Sequence, residues 1–152
     1  MTTRHIAAVG ITLFCVMFMA TNAHARHHNK KHHNNSTVLV EQTFSVDLIT
    51  KARHYAGMTA SQIGLHRHSL WCAAFIRHLG INGPVDDRAI SFLKLPHVNR
   101  QIGAIAVYAH HVGIVTGFDA NGNPIIISGN SYQRRVYEGP YPRRPLAYVI
   151  PG

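Results

Sequence analysis

The chain has 152 residues and carries 15 Lys and Arg against 6 Asp and Glu, a formal charge of +9 with its 13 histidines neutral. That length is enough for one domain with one core and excludes two. So basic a chain predicts an acidic partner outside the cytoplasm. The sequence has no helix-turn-helix, zinc-finger spacing or aromatic-rich sheet pattern that would read bases, so cell-wall polymer or an anionic lipid surface is expected as that partner ahead of nucleic acid.

Arg4 and His5 precede an apolar run from Ile6 to Ala20, which ends in the small-x-small sequence Ala23-His24-Ala25. Residues 1–25 therefore read as a secretory signal peptide. The run is shorter than the roughly 20 residues that span a bilayer, and none follows it to anchor the product, so the mature chain is expected to be secreted or periplasmic, without stable membrane insertion. Cys15 is no lipidation site on this reading, because Val16 to Met19 continue the apolar run beyond it. Once the leader is removed, Cys72 is the one cysteine left. A lone thiol in an oxidising compartment makes no internal disulfide and suggests a reactive residue or an intermolecular pairing.

Residues 26–44 read as a histidine-rich, basic, disordered linker, most polar in RHHNKKHHNNS. His27, His28, His32 and His33 can bind a metal ion adventitiously, and a solvated basic leader explains them as well. From Ser45, Val46, Ile49, Ala52, Tyr55 and Ala56 fall at helical steps, with Ser45 as cap and Gly57 or Gly64 as stop. A second helix is expected from Ser69, acting as cap, to Gly80. A third is expected from Asp86 to Lys94, capped by Asp86. Strands follow at 103–109, 111–118, 124–128, 134–139 and 145–150, and Asp119-Ala120-Asn121-Gly122-Asn123 is a strong hairpin turn. Helices followed by an antiparallel sheet make residues 45–152 one α+β domain, with the helices on one face of the sheet.

The stretch Ser69-Leu70-Trp71-Cys72-Ala73-Ala74-Phe75 puts the lone thiol in the first turn of the second helix. There the unpaired amides and the positive end of the dipole favour thiolate. A small buried hydrophobe beside Trp71 and Phe75 is the competing explanation. A nucleophilic cysteine needs a base, and the base needs an orienting group. Folding the hairpin about Asn121 brings His111 opposite Asn130. His110 competes with His111, since neighbouring strand residues point to opposite faces and only one can face the helix carrying Cys72. Strand parity does not choose between them. His54, His66, His68, His78 and His97 read as surface histidines. A zinc site of His66, His68 and Cys72 fits no strong ligand spacing, so no metal or organic cofactor is expected. Arg134, Arg135, Arg143 and Arg144 can contact an anionic polymer or form a solvated face.

The blocks LWCAAF (70–75), GAIAVY (103–108), HVGIVTGFDANGNPIIISGN (111–130) and AYVIP (147–151), in this order, resemble the CHAP-type cysteine amidohydrolase-peptidase group within the papain-like NlpC superfamily of bacterial cell-wall hydrolases. The resemblance spans residues 47–152 and is strongest to a small exported proteobacterial branch. It implies a papain-like α+β fold and hydrolysis of an amide bond of peptidoglycan by a monomer. It also implies Cys72 as nucleophile, His111 rather than His110 as base and Asn130 as orienting residue. The position two before that asparagine is often acidic in related enzymes and is Ser128 here. Ser128 and Trp71 are expected along the substrate cleft. The segment Tyr108-Ala109-His110 stands where the branch carries a glycine-rich stretch, so the loop beside the cleft is expected to be shorter. Two other classes compete: a catalytically silent wall-binding module, and an exported metal-sequestering protein led by the histidine tract.

Overall fold

No glycine or proline interrupts the chain between Asn35 and Ala56, and α1 (Asn35–His54) occupies nearly all of that stretch. The computed structural model of the chain describes residues 35–67, 69–84 and 86–151. The expected signal peptide and the histidine tract lie outside these residues. The linker boundary at residue 44 is corrected, because residues 35–44 are already helical. Ser45 is therefore inside the helix and caps nothing. It packs instead against Gly103, where an added Cβ would come within 2.2 Å of its hydroxyl oxygen.

The apolar stripe of α1 keeps the expected Ile49, Ala52 and Tyr55 but takes Leu48 in place of Val46. Leu48, Ile49 and Ala52 are buried and Tyr55 packs against the core, whereas Val46 is 62% exposed. With Ser45 seated on Gly103, the positions three, four and seven residues on share its inward face. Gly57, at φ +80, ends the helix where a left-handed residue is needed.

The second helix, α2 (Cys72–His78), begins at Cys72 and not at Ser69. Leu70 has φ +54, a left-handed conformation that breaks a helical start, and Trp71 precedes the helix without any side-chain cap. Ser69 is exposed, and the expectation that it caps the helix does not hold. The third helix is a 3₁₀ segment, Ala89–Lys94, preceded by Arg88. Asp86 does not cap it. The Asp86 carboxylate accepts from the Ser91 hydroxyl and the Arg88 guanidinium, each at 2.9 Å. These two bonds, that of Ser91 first, hold the Asp86 carboxyl below its ordinary pKa.

Six strands form one sheet: β1 (His97–Val98), β2 (Ile105–Val107), β3 (Val112–Phe118), β4 (Pro124–Ser128), β5 (Tyr137–Pro140) and β6 (Ala147–Val149). Their order is β1-β6-β2-β3-β4-β5, and every neighbouring pair is antiparallel. The chain is thus α+β. The two-residue β1 has no alternation to read in the sequence. β5 starts three residues later than expected, because Gln133 and Arg134 both have positive φ.

Both faces of the sheet are covered, which explains why its strands lack apolar-polar alternation. Ile105, Val107, Val112, Ile114 and Ile127 face Leu48, Phe75, Ile76 and Phe92. Ala106, Tyr108, Val115 and Ile126 form a second cluster under Phe118, Tyr141 and Tyr148. The hairpin of β3 and β4 is closed by the Asp119 carboxylate, which accepts from the Asn121 and Asn123 amides at 2.9 and 2.7 Å. Register runs Ile114↔Ile127 and Val115↔Ile126 and shifts by a bulge before Gly117↔Ile125. The pairing beside the turn, Gly117↔Ile125 and Phe118↔Pro124, is offset by one residue from that at Ile114, so the bulge and not the turn alone sets which residues meet toward His111. No helix among the described residues is long and apolar enough to cross a membrane.

Candidate active site

Cys72 is the first residue of α2 and only 4% exposed. Backbone amides of Val112, Ala73 and Cys72 itself interact with its sulfur. Burial nevertheless pushes the thiol above its ordinary pKa, and the amides offset this only in part. The expectation of a dipole-lowered thiolate is corrected accordingly. A helix of 7 residues contributes a small field, and removing the sulfur from water outweighs it. Cys72 rests as a neutral thiol.

Cys72 and Val112 belong to the same core cluster. His110 is exposed in the tight turn between β2 and β3, which the Tyr108 amide closes by donating to the His111 carbonyl at 2.8 Å. His111 turns inward. Its ring stacks on Tyr141 with centroids 5.1 Å apart and planes 19° from parallel, and Nε2 is buried without a hydrogen-bond partner. Burial lowers the imidazole from 6.5 to about 4. The face turned to the helices belongs to Val112 and Ile114, while His111 lies with Tyr141 of the opposite cluster. The expectation that the base faces the helix layer is thus corrected: His111 lies on the Tyr141 side of the sheet, whereas Cys72 belongs to the cluster on the helix side.

Asn130 is half-buried and left-handed at φ +52, a conformation asparagine tolerates better than most residues. Among the described residues no hydrogen bond joins Cys72 to His111 or His111 to Asn130. The stacked Tyr141 is what holds the imidazole plane. Beside it, the Tyr108 hydroxyl is also buried without a partner, and desolvation raises its pKa.

The state of His111 has a measurable consequence. Because its folded pKa lies below the unfolded value, the unfolded chain takes up this proton first as pH falls. Stability is therefore full above about pH 6.5 and lost progressively down to about pH 4, by as much as about 3 kcal/mol. Urea unfolding at pH 7, 5.5 and 4.5 should show a steeper loss in wild type than in His111→Gln. Parallel profiles would show that the ring is not desolvated.

Trp71 is only 1% exposed and meets Phe75 edge-on at 6.3 Å. Gly129 presses on the Trp71 ring and the base of the Phe75 side chain, since a Cβ there would lie 2.4 Å from Trp71 Cζ3 and 2.6 Å from Phe75 Cβ. Trp71 thus locks the start of α2 to the end of β4, and it borders a cleft rather than projecting into one. Ser128 is fully buried, and its hydroxyl donates to the Val112 carbonyl at 2.7 Å. Placing Ser128 on the substrate cleft is corrected: no part of it reaches solvent.

His54, His66, His78 and His97 are exposed. Among the described residues no group of three or more His, Cys, Asp or Glu is placed to hold a metal ion, and His68 lies outside them. Tyr141 is the site residue that sequence reasoning missed. It comes to His111 across the sheet, and no local pattern marks it.

No protein-family model, curated protein or solved structure matches this chain. What the fold and the site define by themselves is an α+β domain with a desolvated thiol at a helix start and a desolvated imidazole at the adjoining strand.

Proposed function

We propose that the protein is an exported hydrolase that cleaves an amide bond of peptidoglycan through Cys72 and His111, in a papain-like arrangement of cysteine-bearing helix and histidine-bearing hairpin. The observation that carries the reading is that Cys72, at the start of α2, shares a core cluster with Val112, the residue next to a half-buried histidine whose Nε2 is buried without a partner. A structural cysteine requires no such neighbour, and a buried imidazole nitrogen left unpaired is costly unless it is used.

The chemistry starts from a neutral pair. As Cys72 Sγ attacks the amide carbonyl, His111, swung off its stack on Tyr141 when substrate binds, takes the thiol proton, and backbone amides at the start of α2 receive the developing oxyanion. The C–N bond then breaks as His111 returns the proton to the leaving amine, giving a thioester on Cys72. Water, deprotonated by His111, releases the acid and restores the thiol. Asn130 is the third member by position, its amide turning to the imidazole once substrate fills the site. The positive balance of the chain suits an anionic wall as partner and the periplasm or cell exterior as location.

The competing reading, a silent wall-binding module, is favoured by the lack, among the described residues, of a hydrogen bond joining Cys72, His111 and Asn130. Incubating purified wall with the mature protein and weighing the released fragments separates the two. Fragments absent from the wild-type digest and no thiol labelling by a substrate-like electrophile would sink the hydrolase.

A further inference from the structure

Two loops meet beside Trp71. The segment after α1 is stitched to the segment before β5 by bonds from the Gly57 amide to the Val136 carbonyl and from the Val136 amide to the Met58 carbonyl, both 2.8 Å. The Arg135 guanidinium adds a bond to the Gly57 carbonyl at 2.7 Å. Between the loops lies a cleft of about 460 Å³, whose lining includes Ser61, His66, Arg67, Trp71, Gln133 and Arg134. Its wall at Trp71 is continuous along the chain with Cys72.

The charge in this cleft is one-sided. No acidic residue lines it. Arg67 pairs with Asp87, but the same carboxylate also takes Arg77, so two guanidiniums share one acid. Arg134 is exposed and has no acidic partner among the described residues.

The backbone is unusual at the same place. Leu70, Asn130, Gln133 and Arg134 are the non-glycine residues with positive φ among those described. All four stand in the chain segments that lead into Cys72 or out of β4. Gln133 and Arg134 are consecutive, at φ +54 and +55, and both line the cleft. Left-handed backbone at such residues persists only where the surroundings hold it, and it concentrates where side chains must be aimed.

We propose that this cleft is a carboxylate subsite: it binds an acidic peptide through a free carboxylate near the amide presented to Cys72. The guanidinium of Arg134 pairs with the carboxylate, and the Gln133 amide and Ser61 hydroxyl complete a mixed donor set. Such a set suits a carboxylate better than a bare cluster of cations would. The direction of attack rests on the proposed hydrolase, whereas the binding itself does not.

The test uses the mature Cys72→Ala protein, so that no turnover intervenes. Its affinity is measured calorimetrically for an N-acetylated alanyl-γ-glutamyl-lysyl-alanine amide, which has one free carboxylate, and for the isoglutamine counterpart, which has none. The acid is expected to bind about five- to tenfold more tightly at about 50 mM salt, with the difference shrinking as salt rises. Adding Arg134→Gln, a change at an exposed side chain whose folding a melting curve checks, should reduce the acid to the affinity of the amide. Equal binding of the two peptides, a preference that survives Arg134→Gln, or full displacement of the acid peptide by millimolar inorganic phosphate would each overturn the carboxylate assignment. A carboxylate preference in a protein whose wild type cuts neither peptide would keep the subsite and reject the hydrolase.

Discussion

Cys72→Ala and Cys72→Ser are expected to abolish release of wall-peptide fragments, a loss of at least about 10³-fold in kcat/KM, while both variants stay folded. Serine is nearly isosteric with cysteine, so at a residue 4% exposed it preserves packing and removes only the nucleophile. Its hydroxyl is a far weaker acid than a thiol, and an imidazole held near pKa 4 is too weak a base to activate it. Retention on purified wall should be unchanged, since nothing in the cleft beside Trp71 is altered. A silent wall-binding module gives the opposite pattern, with wild type and variant equally inert and equally retained. His111→Gln should lose about as much activity as Cys72→Ala, whereas Asn130→Ala should lose less, because no bond from Asn130 holds the imidazole in the free protein. The same state of His111 sets the acid limb. As the base must be unprotonated, kcat/KM should rise through about pH 4 and be flat toward neutrality.

Trp71→Ala is expected to destabilise the fold by about 3–5 kcal/mol, the range for deleting a large buried aromatic side chain. Trp71 fills the junction where α2 leaves its loop and β4 ends, touching Phe75 on one side and Gly129 on the other. Gly129→Ala attacks the same junction from the other side. Its Cβ would meet Phe75 Cβ at 2.6 Å, an atom that no rotamer change can move aside, so about 1–3 kcal/mol is expected from overpacking. Both costs are read from urea unfolding followed by far-ultraviolet circular dichroism, because Trp71 is the sole tryptophan and its removal silences the fluorescence. If Trp71→Ala kept the wild-type midpoint but weakened wall binding, Trp71 would be a substrate platform and not a strut.

Several features were legible in the residues because they depend on a few neighbours in sequence. The hairpin turn at Asp119 to Asn123 joins β3 and β4, although the bulge between Val115 and Gly117 then shifts their pairing by one residue. The glycine at 57 stops α1, and β-rich runs after a helical half make an α+β domain. Cys72 at a helix start also follows from the apolar run behind it. Other features come from contacts between distant segments. Ser45 reads as a cap until Gly103 takes its side chain, and Ser69 reads as a cap until Leu70 adopts a left-handed conformation. The sequence alone determined the class of fold, the hairpin and the positions of the thiol and the imidazole along the chain. Only the tertiary structure decided that His111 lies under Tyr141 on the far face, that Cys72 rests protonated, and that a cationic cleft adjoins it. Turn chemistry and periodicity act over a few residues, whereas desolvation, ring stacking and left-handed strain exist only once remote segments are packed together.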